Sequence, residues 1–223
     1  MIEKIFGPIK PYKASRYLVD IVKGSKVIPV VTIDRLQDAE PVANALLEGG
    51  LKVIELTLRT KAAIDAIEKI SSIGDITVGA GTMTSPRDVI ECLSAGAKFG
   101  VSPGTTDQLL DACEAEGLPI LGGVSSASEI MKLMTRGYTV MKFFPAETSG
   151  GINALRAISG PLPQINFCPT GGISFYKARG YLELPNVAAV GGSWIATENL
   201  IREKNWKEIR KLASQAATLG EEL

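Results

Sequence analysis

The sequence alternates short runs of β-branched residues with stretches of helical periodicity, and this alternation constrains the fold more than any other feature. The runs recur at a mean interval of about 23 residues, the length of one strand plus one helix. Eight runs begin at Val27, Leu51, Ile76, Lys98, Pro119, Thr139, Ile165 and Val187. Eight strand–helix units predict an α/β fold, a single (β/α)8 TIM barrel over residues 1–223. A helical stretch near 15–22 precedes the first run and predicts an N-terminal helical extension over residues 1–25.

A doubly wound open sheet is the alternative architecture. Alternation of strands and helices does not by itself show whether a sheet closes. An open sheet would need one or two edge strands of less apolar character, and none of the eight runs is clearly of that kind. We therefore expect the barrel.

The composition excludes several classes of function. The chain has no histidine, so histidine-based metal sites and Ser-His or Cys-His catalytic pairs cannot be built. Lys and Arg number 24, as do Asp and Glu, and this balance argues against a nucleic-acid partner. The longest uncharged stretch, residues 157–176, is interrupted by prolines and glycines, so no membrane-spanning segment is expected. Catalysis would have to use carboxylates, lysine, tyrosine, serine, threonine or cysteine.

The cysteines and the N-terminal segment indicate the compartment. Cys92, Cys113 and Cys168 are odd in number and widely spaced, so neither a disulfide framework nor a zinc site is expected. The segment MIEKIFGPIKPYK carries charges throughout and lacks the apolar stretch of a signal peptide. We therefore expect a soluble, cytoplasmic protein.

The second run carries polar residues on one of its two faces. Because strand side chains alternate in direction, Glu55, Thr57 and Arg59 share a face, and the residues between them are all apolar. The polar face is expected to point into the barrel, near the strand ends where barrel active sites lie. A carboxylate in that position is costly unless it is paired or functional. Glu55 is therefore a candidate catalytic residue, and a structural ion pair with Arg59 is the alternative.

The sixth run contains a lysine among apolar residues. Lys142 lies between Met141 and Phe143, and lysine is rarely buried without a functional reason. Burial disfavours the ammonium form and favours the neutral amine that a Schiff-base nucleophile needs. An inward Lys142 also brings Phe144 to the same face. The alternative is a lysine that reaches solvent from the rim of the barrel.

Two pairs of glycines follow the last two runs. Gly171-Gly172 follows the seventh run, and Gly191-Gly192, followed by Ser193, ends the eighth. Glycines let backbone N–H groups approach an anion, and a helix starting at Ser193 would add its positive end. Barrels often bind phosphate between these two loops, so the pairs predict a phosphate site. Gly122-Gly123, after the fifth run, is expected instead to form a tight turn or to make room for bulky neighbours.

Six segments together resemble the bacterial 2-keto-3-deoxy-6-phosphogluconate (KDPG) aldolases and the related 4-hydroxy-2-oxoglutarate (KHG) aldolases. The segments are IELTLRT, GAGT, VSPG, MKFFPAE, FCPTGGI and GGSW, and the resemblance runs from about Val27 to beyond Trp194. It implies a lyase, a lysine-dependent (class I) aldolase on a (β/α)8 barrel, usually a homotrimer, that uses no metal or other cofactor. The implied substrate is a small 2-keto acid. KDPG, an intermediate of the Entner–Doudoroff pathway, would give pyruvate and glyceraldehyde 3-phosphate, whereas 4-hydroxy-2-oxoglutarate would give pyruvate and glyoxylate.

The resemblance also implies roles for individual residues. Lys142 matches the Schiff-base lysine and Glu55 the general acid/base, while Arg59 and Thr82 match ligands of the substrate carboxylate and its surroundings. The pocket lining would be Pro103, Phe144 and Thr170, and the phosphate ligands would be Gly171, Gly172, Gly192 and Ser193. Two other classes of function remain open. One is an isomerase or synthase acting on a sugar phosphate, in which Lys142 acts only through its charge, and the other is a binding domain without catalysis.

Overall fold

The computed structural model describes residues 7–219, which contain nine β-strands and ten α-helices. The strands are β1 (Val27–Val31), β2 (Val53–Thr57), β3 (Thr77–Gly81), β4 (Phe99–Val101), β5 (Ile120–Leu121), β6 (Gly123–Val124), β7 (Val140–Phe143), β8 (Asn166–Pro169) and β9 (Val190–Gly192). The helices are α1 (Pro11–Lys23), α2 (Ala39–Glu48), α3 (Ala63–Ser71), α4 (Pro86–Ser94), α5 (Asp107–Glu116), α6 (Ala127–Arg136), α7 (Gly151–Ser159), α8 (Phe175–Leu182), α9 (Glu198–Arg202) and α10 (Trp206–Thr218). Of the expected N-terminal extension, residues 1–6 lie outside the described residues.

All strand pairings are parallel, with a helix after most strands. One sheet has six strands in the order β5-β4-β3-β2-β1-β9, and a second has three in the order β6-β7-β8. Isolated parallel bridges join Phe167 to Val187 and Thr170 to Gly191, so β8 also contacts the segment of β9. Parallel strands need crossover connections, which the helices supply. The predicted α/β class is confirmed.

The fifth run forms two short strands, β5 and β6, with Gly122 between them. A side chain at either glycine of the Gly122-Gly123 pair would collide with the loop after β4. A Cβ at Gly122 would lie 2.6 Å from the Thr105 Cγ2 atom, and one at Gly123 would lie 2.2 Å from the Pro103 carbonyl oxygen. The two glycines therefore lie within the strand run and not in a tight turn. Their missing side chains let the loop after β4 pack closely against this strand run.

Helix α1 packs against one face of the strands. Its Leu18 and Val22 are fully buried in a small apolar cluster with strand residues that include Ile28, Val53 and Phe99. A larger cluster packs the opposite strand faces, including Ile54 and Leu56, against the outer helices. On β2 and β7 the small apolar cluster contains the first residue of the strand, Val53 and Val140, so the polar residues Glu55 and Lys142 on the same faces lie nearer the carboxyl ends. The predicted alternation of faces along β2 is confirmed.

The three cysteines are buried free thiols. Burial raises the pKa of Cys92, Cys113 and Cys168 to about 12, so none is a thiolate near neutral pH.

Across residues 7–219, no helix is long and apolar enough to cross a membrane. The same residues contain no group of three or more Cys, Asp or Glu side chains arranged to hold a metal ion.

Candidate active site

Two charged side chains from opposite sheets meet in the interior. Lys142 of β7 donates a hydrogen bond from Nζ to the Oε1 atom of Glu55 of β2, at 3.2 Å. The lysine side chain is only 7% exposed and the glutamate side chain 5%. Lys142 therefore does not reach solvent from a rim, and the ion-pair partner of Glu55 is Lys142 rather than Arg59. Such a pair places an amine and a carboxylate within proton-transfer distance of each other.

Gly81 provides the space in which the Glu55 carboxylate lies. A Cβ at Gly81 would be 2.4 Å from Glu55 Oε1 and 2.7 Å from Glu55 Cγ. Gly81 is the last residue of β3, in register with Thr57 of β2. This role is not visible in the sequence, although Gly81 belongs to the GAGT segment. The missing side chain lets the carboxylate turn toward Lys142.

The surroundings of Lys142 are apolar and aromatic. Its Nζ atom lies 5.1 Å from the centroid of the Phe144 ring, within the range of a cation–π contact. Cys168 of β8 is in register with Lys142 and almost fully buried. Burial is the main cause of the raised pKa of the Cys168 thiol, to which the negative charge of Glu55 adds, while the positive charge of Lys142 opposes it. Charges in such a water-poor site interact more strongly than at a surface.

Arg59 and Thr82 lie together at the more open side of the site. The Nε atom of Arg59 donates to Thr82 Oγ1 at 3.3 Å, and the Arg59 side chain is exposed. Thr82 has a φ of 64°, in the left-handed region that is unfavourable for a β-branched residue. Residues held in this region are concentrated at functional sites. The exposed guanidinium is available to a carboxylate ligand, for which its planar fork is suited.

A cavity of about 380 Å³ opens where β1, β2 and β9 end. It brings Arg59 together with Ser193, two of the residues singled out in the sequence. The full lining is Val30, Thr32, Arg59, Ser193, Ala196, Thr197, Glu198 and Asn199. Thr32 was not identified from the sequence, and its Oγ1 atom lies 2.9 Å from Oγ1 of Thr57.

The loop after β8 contains Thr170, Gly171 and Gly172. Both glycines have positive φ, 105° and 77°, which glycine adopts without strain. The Gly171 carbonyl accepts a hydrogen bond from the backbone N–H of Glu147 at 3.1 Å, which holds this loop against the loop after β7. Thr170 is buried beside Gly191, whose hydrogen leaves room for the threonine hydroxyl. The loop is thus held in a fixed shape close to β9.

The predicted helix start at Ser193 is wrong. Ser193 is exposed and lies in a non-helical segment, and α9 begins only at Glu198. Thr197 caps this helix through its side-chain oxygen, which accepts from the Leu200 N–H. Gly192 is required at its position because a Cβ there would lie 2.2 Å from the Trp194 ring. A phosphate ligand at this place would depend on loop N–H groups and the Ser193 hydroxyl.

Pro103 lies in the loop after β4 and is exposed. Its carbonyl group closely approaches Gly123, and Gly123 is in register with Lys142. The loop of Pro103 is therefore next to the strand neighbour of the lysine, at the edge of the same site.

Comparisons with known proteins show what the chain is similar to. The family model described as "Aldolase: KDPG and KHG aldolase" matches residues 18–212. A 2-dehydro-3-deoxy-phosphogluconate aldolase from Pseudoalteromonas atlantica is 47% identical over 198 residues, covering 88% of this chain and 92% of that protein. The KHG/KDPG aldolase of Escherichia coli K12 is 44% identical over 197 residues, covering 88% and 92%.

A solved structure shows the same fold with a ligand bound. It is the KDPG aldolase of Legionella pneumophila with pyruvate captured at low pH as a covalent carbinolamine intermediate. The two chains superpose with a TM-score of 0.87 and are 46% identical, covering 89% of this chain and 97% of that one.

Proposed function

This chain belongs to the KDPG and KHG aldolase family, and on that premise we propose that it is a class I (Schiff-base) aldolase acting on KDPG. It cleaves this 2-keto acid to pyruvate and glyceraldehyde 3-phosphate. The observation that carries the assignment is the buried Lys142–Glu55 pair, with 3.2 Å between the amine and the carboxylate. The carbinolamine in the Legionella relative is the intermediate that such an amine forms with pyruvate.

Lys142 is the nucleophile in this proposal. Its neutral Nζ attacks the C2 carbonyl carbon and forms a carbinolamine, and loss of water then gives an iminium ion. Glu55 first takes a proton from the Lys142 ammonium group and passes it to the substrate oxygen as the amine attacks. Glu55 then takes a second proton from the carbinolamine nitrogen and gives it to the hydroxyl, which leaves as water. Glu55 is placed for both transfers because its Oε1 atom already lies within hydrogen-bond distance of Nζ.

Cleavage of the C3–C4 bond follows from the iminium ion. A base removes the proton of the C4 hydroxyl, the C4–O bond becomes the aldehyde carbonyl, and the C3–C4 electron pair moves into the iminium. Glyceraldehyde 3-phosphate leaves, and the pyruvate enamine remains on Lys142. Protonation at C3 and hydrolysis then release pyruvate and regenerate the amine. Glu55 is the candidate for these proton transfers, since its side chain lies beside Lys142 and is almost excluded from solvent.

The remaining site residues hold the two ends of the substrate in this proposal. Arg59 pairs with the substrate carboxylate, and Thr82 positions the guanidinium through the 3.3 Å hydrogen bond. Pro103, Phe144 and Thr170 line the space around the keto-acid carbons. The phosphate is bound by loop N–H groups of Gly171, Gly172 and Gly192 and by the Ser193 hydroxyl. Support comes from the fixed positive-φ conformation of Gly171 and Gly172 and from the exposure of Ser193.

Cleavage of 4-hydroxy-2-oxoglutarate to pyruvate and glyoxylate is the second candidate activity. The E. coli relative is named for both substrates, and the same lysine and glutamate would serve both reactions. The two substrates differ at the end remote from the keto acid, so relative kcat/KM for the two measures what the phosphate loops contribute.

Borohydride trapping tests the central assignment. The protein incubated with pyruvate and sodium borohydride should gain the mass of a reduced pyruvate adduct and lose activity. Peptide mass spectrometry should locate the adduct on Lys142, because only a Schiff base is reduced to a stable secondary amine. An isomerase, a synthase or a binding domain that uses Lys142 only for its charge would remain unlabelled.

We propose further that the two sheets form one closed (β/α)8 barrel with α1 across its N-terminal end. β5 and β6 are separated by Gly122 alone, and its carbonyl accepts a hydrogen bond from the backbone N–H of Lys142 at 3.0 Å. The bridges from Phe167 and Thr170 to the β9 segment support closure on the other side. A crystal structure with pyruvate bound that has eight continuous neighbouring strands would bear this out, and one with a gap at β8–β9 would contradict it.

The assembly and the compartment belong to the same proposal. The chain is proposed to be one domain over residues 1–223 that acts as a cytoplasmic homotrimer, as its resemblance to the aldolases implies. Three buried free thiols support a reducing compartment. Sedimentation equilibrium should give about three times the 23.7 kDa chain mass, and a monomeric mass would contradict the trimer.

A further inference from the structure

We propose that the hydroxyl of Thr32, oriented by Thr57, binds a hydroxyl in the middle of the substrate. The target is the hydroxyl on the carbon next to the phosphate-bearing carbon, which is C2 of glyceraldehyde 3-phosphate. This inference rests on the proposed function, because it concerns the substrate of that same site. It adds a specificity-determining residue between the keto-acid end and the phosphate end.

The strand order places Thr32 between the two ends of the substrate. β1 lies between β2 and β9 in the six-stranded sheet. Thr32 directly follows β1, Arg59 follows β2 and Ser193 directly follows β9. All three line the same cavity of about 380 Å³. A substrate with its carboxylate at Arg59 and its phosphate at Ser193 therefore passes Thr32 with its central carbons, which carry hydroxyl groups.

The hydrogen bond between Thr32 and Thr57 leaves one of their two hydroxyl protons available to a ligand. The Oγ1 atoms of Thr32 and Thr57 lie 2.9 Å apart, and either could be the donor. Within residues 7–219 this is the one hydrogen bond that either hydroxyl makes. Two hydroxyl groups carry two donor protons, and their mutual bond uses one.

Burial decides which proton remains available. Thr57 is 1% exposed, whereas Thr32 is partly exposed and lines the cavity. If Thr32 donated to Thr57, the Thr57 proton would be left unpaired in the interior, which is unfavourable. Donation from Thr57 to Thr32 avoids this cost and leaves the Thr32 proton to the cavity. The pair thus presents a neutral, oriented donor suited to a hydroxyl oxygen.

The test is aldol addition of pyruvate to two aldehydes that differ in one hydroxyl. D-glyceraldehyde 3-phosphate carries the target hydroxyl, and 3-oxopropyl phosphate has hydrogen in its place. Thr32→Val should lower kcat/KM for glyceraldehyde 3-phosphate about tenfold, the scale of one neutral hydrogen bond, and leave 3-oxopropyl phosphate unchanged. Thr32→Ser keeps the hydroxyl and should retain the wild-type preference. Thr135→Val, on the exposed side of α6, is the control for the substitution itself.

Two outcomes would overturn the proposal. One is an equal fall of kcat/KM for both aldehydes in Thr32→Val, which would assign Thr32 a packing role only. The other is a wild-type enzyme that does not distinguish the two aldehydes, a measurement that stands even if Thr32→Val fails to fold. Failure of the proposed aldolase function can be distinguished from failure of the Thr32 proposal. If the function is wrong, the wild-type protein will not be trapped by borohydride with pyruvate.

Discussion

Lys142 Nζ and Glu55 Oε1 lie 3.2 Å apart, although the two residues are separated by 87 positions in the chain and belong to different sheets. A buried ion pair of this kind contributes little to stability, because removing both charges from water costs about as much as their attraction returns. The catalytic role proposed above for the pair accounts for its presence in the interior.

Replacement of Lys142 by Met should abolish both borohydride trapping and aldol cleavage. Methionine keeps the length and apolar character of the side chain but has no amine to form the imine. The Glu55 carboxyl group is left without its partner, so the melting temperature should also fall. Lys177→Met is the matched control, since Lys177 pairs with Glu147 at an exposed position, and it should keep full trapping. Substantial cleavage by folded Lys142→Met protein would refute the Schiff-base assignment.

Replacement of Glu55 by Gln should lower turnover by about 10²-fold or more, the scale of general acid–base catalysis. The amide preserves the shape of the side chain but cannot exchange protons, so carbinolamine dehydration and trapping should also slow. Glu48→Gln removes a carboxylate from a surface pair with Arg210 and should leave turnover unchanged. If the Glu55 variant kept near wild-type turnover in steady-state assays, the Lys142–Glu55 pair would have only a structural role.

Replacement of Gly81 by Ala should impair catalysis without altering the backbone. Its φ is not positive, so alanine fits the strand, but the new methyl group would occupy the place of the Glu55 carboxylate. We expect kcat to fall by at least tenfold with a smaller change in KM, because Glu55 is displaced from Lys142. Gly100→Ala on β4 is the control, since its Cβ would crowd the buried Met83 and Leu118 side chains and not Glu55. Equal losses in the two variants would indicate general strand damage.

Replacement of Ser193 by Asp should discriminate between the two substrates. A carboxylate at this exposed position repels a phosphate, so kcat/KM for KDPG should fall about 10- to 100-fold. Activity toward 4-hydroxy-2-oxoglutarate should fall less, because this substrate lacks the phosphate and ends in a single carboxylate attached directly to C4. Trapping with pyruvate should change little, because Lys142 and Glu55 are untouched. Ser214→Asp, on the exposed face of α10, adds the same charge elsewhere and serves as the control. A parallel loss with both substrates would place the phosphate site away from Ser193.

Much of the site could be predicted because its signals are local. Alternation along β2 separates Glu55 from Ile54 and Leu56 through strand geometry alone, and the structure has the same separation. Lys142 was identifiable because a charged residue inside an apolar run is unusual whatever lies around it. The motifs also identified the aldolase family, which the comparisons confirm.

The helix start at Ser193 shows where local reasoning fails. Glycines followed by serine are typical of an anion-binding helix start, yet Thr197 provides the cap and α9 begins after it. The Trp194 ring packs over Gly192 instead, so this glycine serves a tertiary contact. Whether Ser193 or Thr197 caps the helix depends on tertiary packing, and a local sequence pattern carries no information about that packing.

The sequence by itself determined the eight strand runs, the inward face of β2 and the residue types available for catalysis, because burial and strand alternation act over a few neighbouring residues. Only the tertiary structure decided that Glu55 pairs with Lys142, that Gly81 makes room for the carboxylate and that Thr32 bonds to Thr57. Each of these contacts joins different strands. They depend on strand order and register, which are set by the packing of the whole chain and not by any single segment of it.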